Sequence, residues 1–162
     1  MRPSEFDHAI RAAGSVLDED EIIIIGSQAI HGSVSGNLPE EAGRSLEVDI
    51  AALGDVDSRK ADLIDGAIGE ASMFHETFGY YAEGVTERTA VLADGWRDRL
   101  VRYESPATNG VVAWCLELHD LWLAKAVAGR PKDYEYCLAL AREGFVDSNC
   151  RSSPGGFRCR CP

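Results

Sequence analysis

Leu46-Glu47-Val48-Asp49-Ile50 alternates between apolar and acidic side chains. On a β-strand that period places Glu47 and Asp49 on one face, a few ångströms apart. Two carboxylates so close repel each other unless a cation sits between them. Their hard oxygens favour magnesium or manganese over zinc. A divalent ion held there can grip triphosphate oxygens and stabilise in-line attack at an α-phosphorus. The same alternation also arises on the wet face of an edge strand, so the pair alone does not establish a metal site.

Upstream, Glu21-Ile22-Ile23-Ile24-Ile25 is a β-branched apolar run, the pattern of a strand buried on both faces. It ends in Gly26-Ser27. A glycine at that turn lets phosphate approach free backbone N–H groups, and the Ser27 hydroxyl adds a donor. An ordinary strand-to-helix turn with Ser27 as N-cap would read the same way. Downstream, Lys125 lies in the apolar stretch Leu121-Trp122-Leu123-Ala124-Lys125-Ala126-Val127. An ammonium there needs an anionic partner or ligand, or else reaches solvent along its stem.

Taken in order, these pieces resemble the polymerase-β-like nucleotidyltransferases: a strand, Gly-Gly/Ser, a helix, then a strand bearing Asp/Glu-x-Asp. The run Asp120-Leu121-Trp122-Leu123-Ala124-Lys125-Ala126-Val127-Ala128-Gly129-Arg130-Pro131-Lys132-Asp133 resembles the closing segment of small members related to the AbiEii and MenT toxins. The resemblance spans roughly Ile22 to Leu140. It implies an α+β (α/β-like) domain whose mixed sheet is flanked by helices. By the same resemblance Glu47, Asp49, Lys125 and Asp133 are the catalytic set, and Glu47 and Asp49 hold the metal. Gly26, Ser27, Lys125 and Arg130 contact the nucleotide, with Lys132 as a further phosphate or RNA contact. The implied cofactor is Mg2+ (or Mn2+) and the substrate an NTP. The implied reaction moves an NMP onto a hydroxyl, foremost the tRNA 3′ end, in a toxin with an antitoxin protein as partner. Protein or small-molecule nucleotidylation, and a non-catalytic member that binds a nucleotide or a partner, stay open.

Two features depart from that pattern. The gap from Gly26-Ser27 to Glu47 is longer than usual, which requires the polar loop 35–44 to bulge outward. No third carboxylate is evident on a later strand. Asp98 and Glu104 flank a candidate strand without a convincing pattern, and deprotonation of the acceptor is left without a residue.

The elements that must position these groups read as follows. Ser4, with Asp7 three residues on, begins a helix carrying Phe6, Ile10, Ala13, Val16 and Leu17. Gln28 to Ser33 is a short helix. Residues 58–69 form another, with Ala61, Leu63, Ile64, Ala67 and Ile68 inward. Phe74 to Gly84 is a mixed stretch, followed by strands at 86–92, 98–102 and 111–116. Helices over 117–129 and 132–142, the second started by Pro131, close the domain. Residues 1–147 make one nucleotidyltransferase-like domain. Residues 148–162, nearly free of aliphatic side chains, read as a disordered C-terminal tail.

At 162 residues the chain is long enough to bury a core of its own. Its net charge of −11 is uneven, since residues 1–90 carry 6 Lys/Arg against 18 Asp/Glu while residues 91–162 carry 10 against 9. Such an acidic chain is a poor non-specific binder of nucleic acid, so an RNA substrate must be gripped locally, by the C-terminal half. The acidic half suits a basic antitoxin-like partner, and equally suits plain solubility. No apolar run approaches the ~20 residues needed to span a bilayer. No signal-peptide core opens the chain, which predicts a cytoplasmic protein without a membrane partner. Five cysteines, an odd number, fit a reduced compartment. Cys115 and Cys137 read as core thiols, and Cys150, Cys159 and Cys161 match no common zinc spacing. His75 reads as a packed structural histidine and His31, one turn after Ser27, as a candidate near the phosphates. Trp96, Trp114 and Trp122 read as packing residues. There is no G-x-x-x-x-G-K-[ST] or G-x-S-x-G run, which removes P-loop and serine-hydrolase chemistry.

Overall fold

Ile22, Ile23 and Ile24, each at most 1% exposed, make β1 (Glu21–Ile24) the middle strand of a five-stranded mixed sheet. The computed structural model describes residues 1–146, and the expected tail and its three cysteines lie outside the described residues. The strand order is β3-β2-β1-β5-β4. β1 runs antiparallel to β2 (Glu47–Ala52) and parallel to β5 (Val112–Cys115). β3 (Tyr81–Val85) adds in parallel outside β2, and β4 (Val101–Tyr103) antiparallel outside β5. Burial on both faces is why β1 needs an unbroken aliphatic run rather than an alternating one.

Helix α1 (Pro3–Leu17) lays Phe6, Ala9, Ile10 and Ala13 into the core. It starts before Ser4: Arg2 is the N-cap, and the Glu5 carboxylate accepts from the Arg2 backbone N–H at 2.7 Å. Asp7, expected to close a capping box, instead accepts from the Tyr103 hydroxyl at 2.7 Å. A six-residue 3-10 helix, Ser27–Gly32, follows β1. The 35–44 segment does not simply bulge outward. It contains α2 (Glu40–Gly43), tied back by the buried Gln28 amide, which donates to Ala42 O at 3.2 Å and Ser45 O at 3.4 Å.

Between β2 and β3 lie α3 (Arg59–Ile68) and α4 (Met73–Phe78). Ala61, Ile64 and Ile68 of α3 are buried, but Leu63 and Ala67 face outward. The stretch 74–84 divides into all but the first residue of α4 and most of β3. Residues 86–92 form no strand: Thr89 N–H donates to Thr86 O (2.9 Å) and Thr86 N–H to Thr89 Oγ1 (3.2 Å), closing a turn. The strand expected at 98–102 starts later, after a 3-10 helix at Trp96–Arg99. Two helices, α5 (Leu118–Ala128) and α6 (Pro131–Arg142), complete the domain.

Cys115 and Cys137 are buried free thiols, as expected. Trp96, Trp114 and Trp122 pack partly buried against the core. No helix of the described residues is long and apolar enough to cross a membrane.

Candidate functional site

The end of β1 and the start of β2 meet closely enough to share atoms' space. Ile25 N–H donates to Asp49 O at 3.1 Å, which puts the next residue, Gly26, against the Asp49 side chain. Gly26 is extended (φ −81°, ψ −165°), a conformation open to any residue. What excludes a side chain is room, because a Cβ there would lie 1.2 Å from Asp49 Oδ2. Glycine at this turn thus makes space for a carboxylate.

On β2, Val48 and Ile50 point into the core, both 0% exposed, so the pleat sends Glu47 and Asp49 to the opposite face. The parallel register with β3 then sets Tyr81 beside Glu47 and Glu83 beside Asp49. Tyr81 donates its hydroxyl to Glu47 Oε2 at 3.1 Å. One carboxylate oxygen from each of Glu47, Asp49 and Glu83 lies within 4.8 Å of the others. Glu83 is the third carboxylate that the sequence pattern did not reveal. Its signal was the Tyr81-x-Glu83 spacing, an i, i+2 pair like Glu47-x-Asp49, inside a stretch with no clean strand periodicity. Asp98 sits in the 3-10 helix and Glu104 pairs with Arg102, so neither belongs to this group.

Crowding shows in the protonation of the cluster. Burial, and then the Glu47 carboxylate beside it, push the Asp49 carboxyl up to about 7. Burial works the same way on Glu47, yet hydrogen bonds from the Asp49, Glu83 and Tyr81 side chains outweigh it and hold Glu47 below its ordinary value. Burial and Glu47 raise Glu83. The three groups share protons because they cannot all be charged without a counterion. A hard divalent cation would take the place of those protons, and an all-oxygen set of this kind fits magnesium or manganese.

The opposite side of the site is cationic. Lys125, from α5, places Nζ 3.6 Å from Asp133 Oδ1, which is the anionic partner its apolar helix requires. Asp133, 2% exposed in the first turn of α6, also accepts from Arg130 Nε (2.6 Å) and Nη2 (3.2 Å). Burial would raise the Asp133 carboxyl, but the Arg130 hydrogen bonds and the Lys125 charge hold it below the usual range. Tyr136 donates to the Ser27 carbonyl at 2.8 Å and so fastens α6 to the Gly-Ser turn.

Gly26, Ser27, Glu47, Asp49, Lys125, Arg130 and Asp133 all line one cleft of about 630 Å³. That is within the usual size of a small-molecule site. Glu83 lines it too, with Arg44 and Lys132 as further cations. His31 does not line it. That ring stacks on Phe6 (centroids 4.6 Å apart) and places Nε2 3.2 Å from Gln28 Oε1, which makes it a core residue. His75 is likewise a packing residue, 4.7 Å from the Tyr81 ring.

A central mixed sheet flanked by helices, with carboxylates on neighbouring strands beside a Gly-Ser turn, is a nucleotidyltransferase-type α+β fold. The chain belongs to the DUF6036 family, described as nucleotidyltransferase of unknown function, whose pattern it matches over residues 4–147. No curated protein and no solved structure matches it.

Proposed function

We propose that this domain, residues 1–147, transfers an NMP group from an NTP to an acceptor hydroxyl in a metal-dependent reaction. The observation that carries this reading is the convergence of Glu47, Asp49 and Glu83 to within 4.8 Å in a cleft that also presents Lys125 and Arg130. Glu47, Asp49 and Glu83 would hold Mg2+ (or Mn2+). When bound, the ion would neutralise triphosphate charge and favour departure of pyrophosphate.

The protein's own groups account for the remaining steps. Lys125 and Arg130 bind the phosphates, and Asp133, paired with both, holds the two cations in place. Glu83, the most exposed of the three carboxylates, takes the proton of the acceptor hydroxyl. The new acceptor O–P bond forms as the bond from the α-phosphorus to the bridging oxygen breaks, and pyrophosphate leaves. With Glu83 beside Asp49, this reading gives the acceptor proton a destination.

For the acceptor, the Asp120–Asp133 resemblance supports an RNA hydroxyl, the tRNA 3′ end, in a cytoplasmic toxin held by an antitoxin protein. Arg44 and Lys132 in the same cleft support local gripping of a phosphate backbone. The test is incubation with each α-phosphate-labelled NTP, Mg2+, total RNA and lysate protein. Label in the tRNA fraction is expected. Label in protein or small molecules would redirect the acceptor assignment, and label retained by Glu47→Ala/Asp49→Ala would sink the mechanism.

A further inference from the structure

Arg99 binds in two directions. Its Nε and Nη2 donate to Oδ2 and Oδ1 of Asp120, each at 2.8 Å, and its Nη1 donates to the Asp94 carbonyl at 3.1 Å. Asp120, 4% exposed, is in the first turn of α5. Asp94 belongs to the segment 86–95, which connects β3 to the 3-10 helix without regular structure of its own. One guanidinium therefore ties that segment to that helix.

Both elements joined by this tie form walls of the cleft, although Asp94, Arg99 and Asp120 themselves do not line it. The segment contributes Thr89, Ala90 and Val91. From α5 come Leu121, Ala124 and Ala128, spaced to share one helix face, together with Lys125. Apart from Thr89 and Lys125, these wall residues are apolar, where the carboxylate side is charged. The segment is also held by Ala90 and Leu92, which pack partly buried against the core, and by the Glu87–Arg97 ion pair, whose arginine side chain is 62% exposed and so contributes little. A bidentate Arg–carboxylate pair with one partner buried is the stronger and more directional restraint.

We propose that Arg99, acting through Asp120, is a positioning residue that sets the separation of the apolar cleft walls, where the nucleobase of an NTP would rest. This rests on the NMP-transfer reading above. Ala90, Val91, Leu121, Ala124 and Ala128 offer a base contact area rather than edge hydrogen bonds, so their spacing governs how well it is held. Loss of the tie weakens NTP binding and leaves the carboxylate chemistry in place.

The experiment compares the wild type with Arg99→Ala and Arg99→Lys using MgATP, MgGTP, MgCTP and MgUTP. In Arg99→Ala, KM for the nucleotide is expected to rise about tenfold with kcat within about threefold, the signature of lost substrate binding. Arg99→Lys should fall between, because an ammonium cannot reproduce the fork. Since Arg99→Ala strands a buried carboxylate, Arg99→Met/Asp120→Leu is the second variant. Apolar replacement of both partners keeps such sites folded, and the same KM rise is expected. Hydrogen exchange at backbone amides 87–94 should quicken in every variant. Unchanged KM and exchange overturn the proposal, as does a fall in kcat with KM intact. If the wild type transfers nothing to any acceptor, the NMP-transfer reading fails by itself. The tie is then decided by exchange and by equilibrium binding of MgATP, and variants that match the wild type in both refute it.

Discussion

Gly26 and Asp49 compete for one small volume: a Cβ on the glycine would fall 1.2 Å from Oδ2 of the carboxylate. Gly26→Ala is therefore expected to push Asp49 out of the cluster while leaving the extended backbone undisturbed. Overpacking of this kind costs about 1–3 kcal/mol. Titration with Mn2+ and urea denaturation should show metal binding lost, with stability reduced only by that amount.

Asp49 itself should trade stability for function. Its carboxyl titrates near 3.8 in the unfolded chain and is pushed up to about 7 in the fold. The folded state therefore binds the extra proton between those values, and the Asp49 contribution to stability falls as pH rises from about 4 through about 7. Asp49→Asn removes that slope and is expected to stabilise the metal-free protein at pH 8 by about 1–3 kcal/mol, with transfer abolished. Thermal melts across this pH range check the sign. A stability difference between Asp49→Asn and the wild type, both metal-free, that does not grow as pH rises from about 4 to about 7 would contradict it.

Metal should relieve the same crowding. Because the ion displaces shared protons, Mg2+ affinity is expected to increase with pH up to about 7 and then level off. Calorimetry in two buffers of different ionisation enthalpy reads the proton release directly, and release of none at pH 6.5 would argue against ligation by Asp49.

Glu83 is exposed on the outermost strand, so its removal should spare the fold. Glu83→Gln is expected to lower kcat on the order of 100-fold, the usual size of a lost general base, with stability within about 0.5 kcal/mol. Single-turnover transfer and urea midpoints measured on one preparation separate the two effects. Undiminished turnover would take the acceptor proton elsewhere.

His31 supplies a pH dependence of opposite sign. Burial lowers its imidazole from 6.5 to about 4. The fold holds it neutral, so its contribution is complete above pH 6.5 and is lost as pH falls toward 4. The His31 contribution should shrink by on the order of 2–3 kcal/mol across that window, offsetting the Asp49 term of opposite sign. His31→Phe, which keeps a ring against Phe6, should flatten this acid limb in urea titrations.

Much of the site is legible in the sequence, for local reasons. Period-two alternation assigned Glu47 and Asp49 to one face, and β1 was readable because burial on both faces demands consecutive aliphatics. The helical Lys125 needed an anion, and Asp133 provides one at 3.6 Å. Harder to read were segments whose pattern is weak. β3 is Tyr81-Ala82-Glu83-Gly84-Val85, where a glycine and an alanine blur the alternation, and the β-branched residues at 85–91 drew the strand expectation too far along the chain. His31 lies four residues after Ser27, one turn of an α-helix but a turn and a third of the 3-10 helix that forms, and its ring packs into the core against Phe6.

By itself, then, the sequence determined which side chains share a strand face or a helix turn, since those relations depend only on backbone period. Tertiary structure alone decided that Glu83 joins Glu47 and Asp49. That meeting depends on the register of two parallel strands separated by α3 and α4, and register follows from packing rather than local pattern. Gly84 shows the packing at work: a Cβ there would lie 2.0 Å from the Ala61 carbonyl oxygen, so α3 rests directly on β3 and fixes where Glu83 stands beside Asp49.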